Sequence, residues 1–228
     1  MHAIVSGANG NLGKAVVTKF LQEGYAVSGT VIPQQAGATL FDNENFAKKV
    51  IDLADENATL QMVKEIVEKE GSIDIAVLTV GGFAMGDIEH TTSADILKQY
   101  QLNFETTYHL ARPVFLQMLK QGSGRIFFIA SRPGLDSSKS KGMVAYGLSK
   151  TLVIRLSELL NHEAKGKDIV STVVVPSTID TPENRKSMPD ANFASWVRAE
   201  DIANIIYLHT TPDMKVLRET VLKVYGNS

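Results

Sequence analysis

The sequence contains no cysteine, which removes disulfides, thiolate nucleophiles and thiolate metal sites together. Its five histidines (His2, His90, His109, His162 and His209) show no ligand spacing, so no metal is expected. There is no Lys/Arg-rich block, and the formal net charge over 228 residues is −2. Nucleic acid and anionic membrane surfaces are therefore not expected as partners. The apolar runs fall far short of the roughly 18 residues that a membrane span needs. A strand begins within three residues of the N-terminus, so no signal peptide is expected and the location read is cytoplasmic. Apolar content of 44% and charged content of 21% are ordinary for a globular chain, which excludes disorder and fibres.

What is present is an alternation. Apolar, strand-like runs lie at 2–7, 25–32, 47–53, 73–82, 124–131, 168–176 and 220–226. Amphipathic, helix-like stretches lie at 11–24, 56–71, 93–120, 142–162 and 199–209. Strands apolar on both faces, separated by helices, predict a parallel sheet covered on both sides. Right-handed crossovers leave the doubly wound dinucleotide-binding sheet as the expected topology. The fold class is therefore α/β: a Rossmann fold of about seven strands with helices on both faces. No composition shift marks a boundary, so 1–228 reads as one domain.

The first strand runs into SGANGNLG, with Gly7, Gly10 and Gly13 followed by a helix. In such a turn the first glycine permits the reversal, the second admits a pyrophosphate and the third allows close helix–strand packing. The phosphates sit where free N–H groups open the helix. The cofactor set read from this turn is Gly7, Asn9, Gly10, Asn11, Leu12 and Gly13, and the cofactor is NADH or NADPH. An acid at the end of the second strand would select NAD, and a base would select NADP. The position taken for that marker, Val31, is neither. Asp52, at the end of the third strand, is assigned to the adenine amine and Leu53 joins the cofactor set; the alternative for Asp52 is a helix cap or turn carboxylate.

AYGLSK places Tyr146 and Lys150 four residues apart on one helix face. A neighbouring ammonium favours the phenolate and should lower the tyrosine pKa from near 10. Tyr146 could then exchange a proton with a substrate atom that gains or loses hydride. An intact Tyr146–Lys150 pair argues against the other class considered, a cofactor-sensing protein without catalysis.

With these pieces, the chain resembles the short-chain dehydrogenase/reductase family along its whole length. The matching stretches are SGANGNLG, LTVGG, Asn103 in QLNFETTYHLA, Ser131 in FFIAS, YGLSK and PSTIDTP. The resemblance implies Tyr146 as acid/base, Lys150 on the nicotinamide ribose, Ser131 orienting the substrate, and Asn103 holding a proton-relay water. It adds Gly81, Gly82, Pro176 and Thr181 to the cofactor set. Three departures stand out. The glycine turn is one residue shorter than usual, Thr79-Val80-Gly81-Gly82 replaces Asn-Asn-Ala-Gly, and Ser131 lies two residues further than usual from Tyr146.

One branch, dihydropteridine reductase, is similar in places the general pattern does not dictate: TVGGF, GMVAYGLSK and TPENRKSMPDANFASW. That similarity implies hydride transfer to a quinonoid dihydropterin-like small molecule, in a homodimer. The alternative is a reductase of another ketone or a 3-oxoacyl compound. Residues 179–196 show neither a helical nor a strand period. The region 177–198 is therefore read as a flap over the site, with Met188 and Trp196 available to an aromatic substrate.

Overall fold

Strands such as Ala3-Ile4-Val5 and Ile75-Ala76-Val77-Leu78 have no polar face to show water, so each must be covered on both sides. The computed structural model, which describes residues 1–37 and 40–227, shows how this is done. The strands are β1 (His2–Ser6), β2 (Ala26–Val31), β3 (Phe46–Val50), β4 (Ile75–Leu78), β5 (Ser123–Ile129) and β6 (Asp168–Pro176). Two short strands, β7 (Ile179–Asp180) and β8 (Val197–Arg198), precede β9 (Val221–Val224). Seven of them form one parallel sheet in the order β3-β2-β1-β4-β5-β6-β9, and β7 pairs only with β8.

Helices cover both faces: α1 (Asn11–Gln22), α2 (Glu56–Glu70), α3 (Ser93–Tyr100), α4 (Thr106–Gln121), α5 (Arg132–Leu135), α6 (Val144–Glu163), α7 (Pro182–Ser187) and α8 (Ala199–Leu208). Successive strand residues alternate between two cores. Ala3, Val5, Ile75, Val77 and Phe127 join Val16, Phe20 and Ile202 of α1 and α8. Ile4, Ala76, Leu78, Ile126 and Phe128 join Ile66, Leu110, Val114 and Val153 of α2, α4 and α6. Each fully buried large side chain contributes about 2 kcal/mol. No helix among the described residues is long and apolar enough to cross a membrane.

The structure differs from the sequence reading in three places. The helix expected over 93–120 is interrupted by a π turn at Gln101–Glu105, which separates α3 from α4. Residues 179–196 are not without structure. They carry β7, α7, a 3₁₀ turn at Phe193–Ser195 and the approach to β8. Thr181 caps α7, with Pro182 in its first turn, and six residues are too few to show a period. Val31 is 2% exposed in the first core, so its side chain cannot meet a ribose; Ile32 beside it is 45% exposed.

The sheet order reverses direction beside β1, between β1 and β4, and ligands of such sheets bind beyond the carboxyl ends of the strands at that point. The register pairs Ser6 with Leu78, Leu78 with Phe128, and Ile129 with Val174. Gly7, Thr79 and Ala130 thus leave the sheet along a single edge.

Candidate active site

The edge begins with a turn shaped by missing side chains. Gly7 has φ 66°, a conformation that costs glycine little. A Cβ on Gly13 would lie 2.1 Å from the Gly7 carbonyl oxygen, so only glycine lets α1 seat this close to β1. Gly10 is the extended residue that opens α1, and no side chain caps the helix. First-turn N–H groups without a side-chain cap suit a diphosphate. Asn9 is half-buried and Asn11 exposed, whereas Leu12 is in the core and offers only backbone. Ser6 Oγ accepts from Thr79 N at 2.9 Å and from Val80 N at 3.2 Å, tying the end of β4 to β1.

Gly81 and Gly82 follow at the end of β4. A Cβ on Gly81 would be 2.6 Å from Asn103 Oδ1 and 3.0 Å from Lys150 Nζ, so three sequence-predicted residues converge here. Asn103, fully buried in the π turn, accepts from Gly82 N at 2.9 Å. Its Nδ2 faces Gly82 O (3.0 Å), Gln99 Oε1 (2.9 Å) and Ser149 Oγ (3.1 Å). The amide hydrogens are committed to protein acceptors, which makes Asn103 a brace for the strand end. A relay water has only the remaining lone pair of Oδ1, or the backbone, to meet.

Tyr146 and Lys150 project from the first turns of α6 toward the end of β5. Lys150 is 6% exposed and donates from Nζ to Ile129 O at 2.9 Å. Burial pushes its ammonium down to about 8. Burial likewise pushes the Tyr146 phenol above its usual value of 10, against a smaller opposing effect of its hydrogen bond with Ser131. The expected lowering of Tyr146 by Lys150 is not found: desolvation governs, and the opposing effect comes from Ser131. At neutral pH the phenol carries its proton. Ser131 also caps α5, accepting from Gly134 N at 3.3 Å. The long interval to Tyr146 is taken up by α5 and a 3₁₀ turn at Ser137–Lys139, where Ser140 Oγ donates to Pro133 O.

The remaining predicted residues are more dispersed in role. Asp52 Oδ1 accepts from Ala54 N at 3.0 Å, the turn-carboxylate geometry, and Leu53 is buried with its carbonyl taken by His109 Nδ1. Pro176 ends β6 in the interior. Thr181 Oγ1 accepts from Asn184 N, and Asn184 Nδ2 donates to Ile179 O at 2.8 Å. Arg185 makes a two-point ion pair with Asp180 and lies over the Phe193 ring, which meets Trp196 at 4.8 Å. Met188 is 39% exposed. Glu183 Oε2 accepts from Asn11 Nδ2 at 2.8 Å and so joins α7 to the glycine turn. Sequence reasoning missed Gln99, Ser149 and Phe83. Gln99 carries no motif, whereas Ser149 lies within YGLSK and Phe83 closes TVGGF, so both stood inside stretches already singled out.

Comparison with known proteins agrees with this geometry. The chain is 26% identical over 230 residues to a 3-oxoacyl-[acyl-carrier-protein] reductase of Buchnera aphidicola, covering 96% of this chain and 93% of the relative. It is 27% identical to the acetoacetyl-CoA reductase of an Acinetobacter species, over 79% of this chain and 75% of the relative. Among solved structures, a tyrosine-to-phenylalanine variant of ElxO with NADPH bound superposes with a TM-score of 0.89 at 25% identity, covering 97% and 96% of the two chains. The short chain dehydrogenase family pattern matches residues 1–192. The chain belongs to the short-chain dehydrogenase family and is an NAD(P)-dependent oxidoreductase.

Proposed function

We propose that the protein reduces a carbonyl compound, a ketone or a 3-oxoacyl substrate, with Tyr146 giving the proton to the oxygen. The observation that carries this reading is the convergence at the end of β5 of the buried Tyr146 phenol, the Ser131 hydroxyl that it meets, and Lys150 beside Gly81. Tyr146 and Ser131 offer two hydroxyls to one substrate oxygen, so the developing alkoxide is stabilised and then protonated. The names of the two curated relatives support the same substrate chemistry.

The nicotinamide cofactor supplies the hydride when bound. The glycine turn would hold its diphosphate, and Lys150, beside Gly81, its ribose. Asn103 keeps Gly81 and Gly82 in place against that end. The reading of 177–198 as a flap is supported by the bond between Glu183 and Asn11, which joins the segment to the cofactor turn. A homodimer is supported by exposed Ile96, Leu97, Leu148 and Leu152, which with Tyr100 line an apolar hollow of about 200 Å³ between α3 and α6. Sedimentation velocity reads that state directly.

Tyr146→Phe tests the mechanism. Turnover should fall roughly 10²–10⁴-fold while NADPH affinity is kept. Near-normal turnover in that variant overturns the reading. A quinonoid dihydropterin is the second substrate reading, favoured by the aromatic ring of Phe83 beside Tyr146 and by the dihydropteridine reductase-like sequence of 181–196. Assaying that compound beside ketones, each with NADH and NADPH, separates the two.

A further inference from the structure

Phe83 has an unusual position for an exposed aromatic residue. It is 60% exposed, yet its ring meets that of Tyr146 edge-on, with centroids 5.0 Å apart and planes at 81°. Met85 and Ile88, on the same loop, are 70% and 83% exposed. Single apolar side chains on a surface need no explanation, but an apolar group touching the proton donor does.

The loop that carries Phe83 is pinned at both ends. At one end Asn103 grips the N–H and the carbonyl of Gly82, at 2.9 and 3.0 Å. At the other end Gly86 N donates to Gly142 O at 2.8 Å, and Val144 N donates to Gly86 O at 2.9 Å. This bridge fastens the loop to the entrance of α6, three residues before Tyr146. The Met85 methyl lies 3.5 Å from where a Cβ on Gly142 would be. No charged residue occurs in the stretch Thr79–Gly86. This wall therefore offers a substrate flat apolar contact and no ionic recognition.

We propose that Phe83 and Met85 form a platform for a flat, unsaturated group attached to the reducible carbonyl, so that the substrate is an aryl or similarly conjugated ketone. The proposal rests on the carbonyl-reductase reading and narrows it. Aromatic rings favour offset or edge-to-face neighbours, and one such contact is worth up to about a tenfold preference.

The test uses a matched pair, 1-phenyl-1,2-propanedione and 2,3-butanedione, with wild type, Phe83→Ala and Phe83→Trp. The wild type should favour the phenyl compound in kcat/KM by about tenfold. Phe83→Ala should reduce that ratio to about twofold or less, and Phe83→Trp should keep it, at unchanged NADPH affinity. An equal ratio in wild type and Phe83→Ala, or no preference in wild type, overturns the platform. If neither diketone is reduced with either cofactor, the carbonyl reading fails on its own. The platform is then judged by ligand-observed NMR of the phenyl compound with the NADP⁺-bound protein. Binding that Phe83→Ala abolishes sustains it; absence of binding to wild type overturns it.

Discussion

The turn after β1 and the head of α6 serve the same edge of the sheet by opposite means. The turn works through absent side chains: Gly7 and Gly13 let backbone lie against backbone, and the contact that makes the cradle is also packing. The head of α6 works through polar side chains taken out of water, Lys150 above all. Function and stability therefore point the same way in the first region and oppose each other in the second.

The sharpest way to break this contrast is at Gly13. Gly13→Ala puts a methyl group 2.1 Å from a carbonyl that cannot swing aside. Stability should fall by about 3 kcal/mol, read by urea denaturation, and NADPH binding should be lost with it. Retained cofactor affinity would mean that the turn tolerates what its geometry forbids.

At Lys150 the signs should separate. Its folded value of about 8 lies below the ordinary 10.5, so the folded state loses a proton that the unfolded chain keeps between those values. Burying the ammonium is thus a cost at neutral pH that is relieved progressively as pH rises above about 8. Lys150→Met should raise stability by about 2 kcal/mol at pH 7 while lowering turnover. A destabilised variant would show that the bond to Ile129 outweighs the desolvation.

His2 supplies a control at the far end of β1. Its Nε2 meets Ser28 Oγ at 3.1 Å, and its Nδ1 is buried without a partner among the described residues. Desolvation lowers its pKa from 6.5, against raising contributions from Glu70 and Asp74 and lowering ones from the N-terminus and Lys69. Below 6.5 the unfolded chain takes up the proton first, so stability should be full above that pH and decline under it. Stability should therefore fall between pH 7 and 5.5, and fall less in His2→Gln. An identical pH slope in the variant would remove His2 from the account.

The two regions also differ in how far the sequence reveals them. Glycines that a fold cannot replace are visible as glycines, and the four-residue step from Tyr146 to Lys150 is visible as a helix face. Partners chosen by tertiary packing are not. Nothing in a sequence says that Asn103 braces Gly82 rather than facing solvent, or that burial decides the Tyr146 pKa against its neighbour. Nor does a sequence say that Val31 ends β2 buried in the core while Ile32, the next residue, is exposed. The helix at 182–187 was written in Thr181-Pro182-Glu183, a cap, a first-turn proline and an acid, but a single turn and a half hides from any test of periodicity.

The π turn at Gln101–Glu105 has a consequence for how this chain can change over time. One residue more or less in a helix turns everything beyond it by about 100°. Leu110, Val114 and Met118 all lie fully buried on the face that α4 presents to the sheet, and that face is in phase only because of the wide turn before it. Deleting any one residue between 101 and 105 would make a more regular helix and leave the hydrophobic content almost unchanged. It would remove the residue that the wide turn absorbs, so the stripe on α4 would stay in phase while Asn103 lost the turn that carries it to Gly82. The packing of α4 can therefore tolerate the loss of that one residue, whereas the bond from Asn103 to Gly82 cannot.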